Sequence, residues 1–323
     1  LHLSIRRQRQ MCIRDSYSPV VDEPGVLDWN TKTIIVVIRN HARLSRVDGT
    51  RLLDSSFCSR YIYIRLYISV LPTQKNVMVE NSQSLKEKLE TSKKYLQNAN
   101  LKGANLAGAE LKGALLGGAD LSGANMKKIF LGDAELHKAN LTEANLEEAN
   151  LNSADLNKAN LNRANMRGLY ARSADLRYAN LSNADLTKSN FRQCSMFKAW
   201  MKNSNFSGAN LQNIKGSQSQ MQESIFCGAK LEGADLSGAR MEGADFAGAG
   251  LQVANLSRGV LKNSNFKGAD LKGANLRYTI GLTKDQIESA LIDKNTLLPS
   301  YLKVEWKSEN EFECHAVESK HSY

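Results

Sequence analysis

The sequence predicts an all-β solenoid, and three observations carry that expectation. From Leu96 to Leu276 every fifth residue is large and apolar: of 37 such positions, 35 hold Leu, Met or Phe, and only Ala171 and Gly216 depart. Two residues before each large residue sits a small one, as at Ala104, Ala109 and Ala114, and between the two is usually Asn or Asp, as at Asn105, Asp120 and Asn140. No proline interrupts residues 96–280, so nothing in that stretch removes a ladder donor. A period of five fits neither the 3.6 of a helix nor the 2 of a strand, so the repetition is read before local propensity. The large and small residues stand two apart, a strand-like spacing that turns both inward, while the other three positions are polar or Gly. Such a unit buries two side chains, turns a corner and repeats. Alone it cannot bury its own face, so the units must wind and stack.

The unit Ala-(Asn/Asp)-Leu-x-x resembles the repeat of the pentapeptide-repeat family, and the resemblance covers residues 96–280. It implies a right-handed, four-sided (quadrilateral) parallel β-helix, with one repeat per side and about twenty residues per coil. The 37 repeats would then make about nine coils, a rod about 45 Å long at a strand spacing of about 4.8 Å. A shared fold of this kind hosts many tasks, so the resemblance says more about architecture than about activity.

Residues 1–77 carry none of the repeat and mix basic and apolar residues without period. Residues 1–16, through Arg6-Arg7-Gln8-Arg9-Gln10-Met11-Cys12-Ile13-Arg14-Asp15-Ser16, resemble translated sequencing-adapter read-through. The expectation is a leader that is disordered or foreign to the native protein, whose own start would be Met78. The apolar runs Ile34–Ile38 and Tyr61–Leu71 are too short to span a bilayer, and the second contains Arg65. A basic opening without an apolar run behind it makes a poor secretory signal.

Residues 78–95 are expected to form an N-terminal capping helix over Ser84–Tyr95, since Ser84 and Glu87 have capping-box spacing and Leu85, Leu89 and Leu96 fall near one face. Within the repeat, Gly recurs two residues after the large one, as at Gly103 and Gly238, which suits corners of positive φ. Asn residues stacked one per coil are expected to form side-chain ladders. At Leu169-Tyr170-Ala171 the large and small residues trade places, which keeps the volume. From Ile214 to Gln220 the pattern fades without an insertion, and a weakened side with a bulge is expected there. Residues 281–302 read as a C-terminal helical cap similar to one common in the family. Thr283 and Gln286 have capping-box spacing, and a helix over about Lys284–Ile292 would cover the last coil with Ile287, Ala290 and Leu291. Residues 303–323 read as a loose polar tail.

Chemistry is sparse. The five histidines, His2, His41, His137, His315 and His321, are scattered, and no His/Cys/carboxylate cluster has metal-ligand spacing. The glycines follow the repeat and never form a phosphate loop leading into a helix. An enzyme, a cofactor and a metal are therefore not expected. The five cysteines, Cys12, Cys58, Cys194, Cys227 and Cys314, show no CxxC spacing, and their odd number argues for a reducing, cytoplasmic setting. Cys194 takes a small inward position as an apolar filler. The net charge is +10, of which residues 1–77 supply +6, while the repeat holds 22 basic against 16 acidic residues and residues 281–323 hold 5 against 8.

What remains is surface. With twenty residues per coil, positions twenty apart stack in a column. Lys127 and Lys128 then oppose Glu147 and Glu148, with Arg167 below Glu147, as cross-strand pairs worth about 0.2–1 kcal/mol each. A second column reads His137-Lys138, Asn157-Lys158, Arg177-Tyr178 and Phe197-Lys198, and later Ser257-Arg258 and Arg277-Tyr278. It contains no acid at those positions, although Glu135, Asp155 and Asp175 lie just before on the same side. Folding asks for neither the aromatics nor the stacked cations there, and Arg and Tyr are enriched at binding hot spots. The candidate partner-binding stripe is accordingly His137, Lys138, Lys158, Arg177, Tyr178, Phe197 and Lys198.

The leading function is a non-catalytic, rigid protein–protein interaction scaffold with an acidic protein partner. The alternative, taken from a branch of the family that mimics DNA, is binding or protection of a type II topoisomerase such as gyrase. That role wants an acidic face, which this basic repeat lacks. Polyanion or nucleic-acid binding through the stripe is the weaker alternative, since a flat column offers no groove-reading element. Ice binding would want outward Thr arrays, and Thr142 and Thr187 are isolated. No membrane span is expected, and a homodimer is left open.

Overall fold

The computed structural model describes residues 82–308 and 311–317, together with the backbone of five short strands between residues 13 and 66. Of those strands, Ile34–Arg39 pairs antiparallel with both Ile13–Asp15 and Tyr61–Leu66. The other expectations for residues 1–77, and the start at Met78, lie outside the described residues.

The repeat winds with a coil of twenty residues. Parallel bridges join each residue in the Asn/Asp position to the one twenty further on, from Asn100↔Asp120 through Asn140↔Asn160 to Val260↔Ile280. The rungs are paid out one at a time: Leu101 N–H donates to Asp120 O, and Asp120 N–H donates to Ala99 O. Each side thus contributes a single bridged residue and is too short to form a continuous strand. The fold is β by its hydrogen bonding while holding little regular strand.

The corners explain the five-residue side. The small residue donates back to the large residue three before it, as Ala104 N–H does to Leu101 O at 3.0 Å. This closes a turn whose third residue has positive φ. That conformation recurs two after the large residue all along the repeat, from Asn98 to Tyr278. Glycine at such a site, as at Gly103 with φ +65°, removes the steric cost. Yet Lys128, Lys138, Tyr178 and Val253 adopt the same conformation, so the corner is imposed by stacking and not by glycine alone.

Inside, the large residues and their small partners are almost wholly buried. Phe206, Phe226, Phe246 and Phe266 form a column of parallel rings with centroids 5.0, 5.0 and 5.2 Å apart. Polar atoms that replace Ala at the small position are satisfied locally. Ser189 and Ser264 donate to the carbonyls of Leu186 and Leu261, three residues back, at 2.6 and 2.7 Å. Outside, amide ladders run between coils, as Asn165 to Asn145 at 3.0 Å.

The trade at Leu169 and Ala171 is present, with both residues buried. The expected bulge near Gly216 is not. Bridges run unbroken through Ser195↔Lys215↔Asp235, and Ile214 is buried beside Gly216. This is a second exchange of large and small, so the side keeps both its volume and its register.

At the start of the rod a helix spans Ser82–Ser92, followed by a single 3-10 turn over Lys93–Tyr95. Ser84 therefore lies inside the helix and does not cap it; Leu89 is buried. After the Val260↔Ile280 bridge, Thr283 caps a helix as expected: its hydroxyl accepts from Gln286 N–H, and Gln286 Oε1 accepts from Thr283 N–H. The helix ends sooner than expected, covering only Lys284–Glu288. Leu291 is drawn into a bridge with Asp270, which stops the helix and leaves its side chain 52% exposed, while Ile287 and Ala290 are buried. Gln286 Nε2 donates to Leu261 O and Ser264 O and so satisfies carbonyls of the final coil. The expected loose tail is ordered where it is described: Leu302–Trp306 and Phe312–Ala316 pair as an antiparallel hairpin. Trp306 packs on Phe312 at 5.3 Å, and Cys314 N–H donates to Glu288.

Candidate functional site

Corner residues follow an inward-facing large residue and precede an inward-facing small one, so their side chains must point to solvent. The bridges Glu135↔Asp155↔Asp175↔Ser195 put the pairs His137-Lys138, Asn157-Lys158, Arg177-Tyr178 and Phe197-Lys198 on one corner of consecutive coils. Successive pairs stand about 4.8 Å apart along the rod.

The stripe divides into paired and unpaired charge. Arg177 is engaged by its own side of the rod: Nε and Nη2 donate to Asp175 at 2.5–2.9 Å. Those hydrogen bonds, and after them the carboxylate's charge, push the arginine's pKa further up. His137 Nδ1 lies 3.9 Å from Asp155, and its ring covers Gly117, where an added Cβ would come within 2.6 Å of it. Lys138, Lys158 and Lys198, by contrast, form no ion pair among the described residues. Lys158 Nζ instead stands 5.9 Å from the centre of the Tyr178 ring, and Lys198 Nζ 5.1 Å from that of Phe197. The two rings meet edge to face at 5.7 Å. Cation–π contacts at exposed sites are worth about 0.5–1 kcal/mol each, comparable to an exposed ion pair, so a carboxylate that a partner buries against the ammonium groups can replace them.

Elsewhere, Lys127–Glu147 and Lys128–Glu148 pair at 2.9 and 3.3 Å. Arg167 does not join Glu147; it reaches diagonally to Asp185 at 3.6 Å, because its side chain leans across the face and not straight down the column.

The residue that sequence reasoning missed is Trp200. It stands at the bridge position between Asn180 and Gln220 and is 59% exposed. An indole where the repeat most often places Asn or Asp, between Lys198 and Lys202, was the available signal. Among the described residues no group of His, Cys, Asp and Glu could hold a metal, and no helix is long and apolar enough to cross a membrane.

The family model for pentapeptide repeats (8 copies) matches residues 95–132, 131–168, 174–213 and 244–280. The repeat region belongs to the pentapeptide-repeat family. Solved structures similar to this pentapeptide-repeat chain include HetL, involved in heterocyst differentiation regulation in the cyanobacterium Nostoc sp. Strain PCC 7120. It is 28% identical over 63% of this chain and 98% of its own, with a TM-score of 0.28. Full-length QnrB1, a plasmid-mediated fluoroquinolone resistance protein, is 16% identical over 60% of this chain and 92% of its own, with a TM-score of 0.33. A pentapeptide repeat protein of the Arabidopsis thaliana thylakoid lumen is 32% identical over 31% of this chain and 66% of its own, with a TM-score of 0.19. Comparison with curated proteins returns no match. The family assignment rests on the repeats themselves, and no catalytic family is matched.

Proposed function

We propose that the chain is a non-catalytic scaffold, a rigid right-handed rod of about nine coils that docks an acidic protein partner in a reducing, cytoplasmic setting. In this reading the helix Ser82–Ser92 closes one end and residues 281–302 the other. The observation that carries it is the corner at Lys138, Lys158 and Lys198: three exposed ammonium groups in one column, none paired with a carboxylate among the described residues, two of them set against Tyr178 and Phe197. Stacked like charges disfavour folding slightly, so the fold itself does not ask for them. Arg177 belongs to the same surface but is held by Asp175, and His137 lies over Gly117 within 3.9 Å of Asp155; both serve to shape it.

The test is affinity capture with the full chain beside the triple variant Lys138→Glu, Lys158→Glu and Lys198→Glu. A protein retained by the first and lost by the second, with an unchanged melting temperature, supports the reading. Equal recovery by both removes the stripe from the interface. Recovery of a type II topoisomerase by both would move the reading to a topoisomerase binder using another face.

A further inference from the structure

The backbone of Trp200 carries two rungs of the solenoid, Trp200 N–H to Ala179 O and Leu181 N–H to Trp200 O, but its side chain is 59% exposed and outside the core. On one side its column carries an amide ladder, with Asn180 Nδ2 donating to Asn160 Oδ1 at 3.2 Å. The ladder ends at the indole, whose N–H has no acceptor among the described residues. Beside it lies a shallow open depression of about 400 Å³. Tyr178, Lys198 and Gln218 line it from the corner column and Trp200, Gln220 and Arg240 from the bridge column, and Gly238 extends the hollow because it has no side chain.

The lining is cationic, with one of its two cations already paired to a neighbouring carboxylate. No acid lines the depression. Among the described residues Lys198 has no carboxylate partner, and Arg240 is held by a single oxygen of Glu242, through Nε at 3.0 Å and Nη2 at 2.6 Å. An exposed indole and phenol between two cations match the anchor positions of protein interfaces, where Trp, Tyr and Arg carry most of the energy. The complementary ligand is apolar at its centre and anionic on its flanks. The apolar group a duplex offers, the thymine methyl, lies recessed in the major groove, whereas a peptide supplies a projecting apolar side chain and flanking carboxylates within a few residues.

We propose that this depression anchors one apolar side chain of an acidic peptide segment, whose flanking carboxylates reach Lys198 and Arg240. The inference deepens the scaffold reading and rests on the partner being a protein. It places the centre of the contact on the face beside the corner, with Lys138 and Lys158 serving as its charged rim.

The experiment is fluorescence anisotropy of the full chain with a labelled twelve-residue peptide carrying a central phenylalanine between aspartates. The same peptide with asparagines, the same with alanine for phenylalanine, and a labelled oligothymidine are the comparison probes. Binding of the first peptide is expected to weaken roughly tenfold or more in Trp200→Ala, a hot-spot-sized loss, with the melting temperature unchanged. It is expected to weaken likewise with either altered peptide, and to fall with added salt. Equal binding by Trp200→Ala, or no binding at millimolar peptide, overturns the proposal; oligothymidine binding in place of peptide overturns it in favour of single-stranded nucleic acid. The double variant Lys138→Glu and Lys158→Glu separates the two readings. If it loses the captured protein while Trp200→Ala keeps it, the stripe stands and the anchor falls. If the acidic peptide binds through Trp200 but no protein is captured through the lysines, the anchor stands and the stripe falls.

Discussion

Ile214 fills the space that Gly216 leaves. Its Cδ1 lies 3.5 Å from where a Cβ on residue 216 would sit, and the same Cβ would meet Leu236 Cδ2 at 3.1 Å. The two residues together hold the volume that a small and a large residue hold elsewhere, with their places exchanged. Ile214→Ala should therefore open a cavity and cost about 2–5 kcal/mol, while Gly216→Leu alone should overpack and cost about 1–3 kcal/mol. The double variant restores the ordinary repeat and should recover most of that loss. Urea unfolding of the four chains measures the coupling, and additive losses would mean that the two sites do not share one space.

The phenylalanine column gives a second test. Phe226 lies between Phe206 and Phe246 with its ring parallel to both at 5.0 Å. Phe226→Ala should cost about 3–5 kcal/mol. Phe226→Leu should cost less than about 1.5 kcal/mol, because Leu is the usual occupant of the large position and the column can close around it. Equal losses from the two would show that stacking of the rings, and not filled volume, is what the site requires.

The core was legible in the sequence because burial follows the five-residue period: a residue's place in the unit alone says whether it faces in. The surface was less legible, for a physical reason. Stacking places Cα atoms twenty residues apart, but long side chains lean sideways or fold back, so Arg167 finds Asp185 and Arg177 finds Asp175. The corner conformation was legible only where glycine marked it. Lys138 and Tyr178 carry no such mark, since neighbouring coils impose their positive φ from outside the unit. Trp200 was visible as a departure from Asn, but that it borders a hollow depends on Gly238, two coils away.

Val253 sharpens the point about corners. Its φ is +53°, and it is the one β-branched residue among the described corners of positive φ. A left-handed conformation costs an ordinary residue about 1–2 kcal/mol, and branching at Cβ adds to that. The side chain is 68% exposed, so it recovers little by packing. Val253→Asn should raise stability by about 1 kcal/mol, since Asn tolerates this region. The midpoint of denaturant unfolding checks it, and a lowered midpoint would mean that Val253 has a packing role.

The thiol of Cys194 should make stability fall at alkaline pH. Burial pushes its pKa from the ordinary 9.0 up to about 12, only partly offset by backbone hydrogen bonds from Ala174 and Ser173. In the unfolded chain the thiol ionises near its ordinary value. Between pH 9 and about 12 the unfolded state therefore holds fewer protons than the folded one, and stability declines as pH rises. The decline from this group is at most about 1.4 kcal/mol per pH unit. Cys194→Ala places the usual small residue at the position and should remove that part of the slope, while changing little near neutral pH. Comparing urea midpoints at about pH 8 and about pH 10.5 for both chains isolates the effect from tyrosines and lysines common to the two. Identical slopes would mean that the Cys194 thiol titrates in the folded rod as it does in the open chain, and that the small inward column is wetter than its burial indicates.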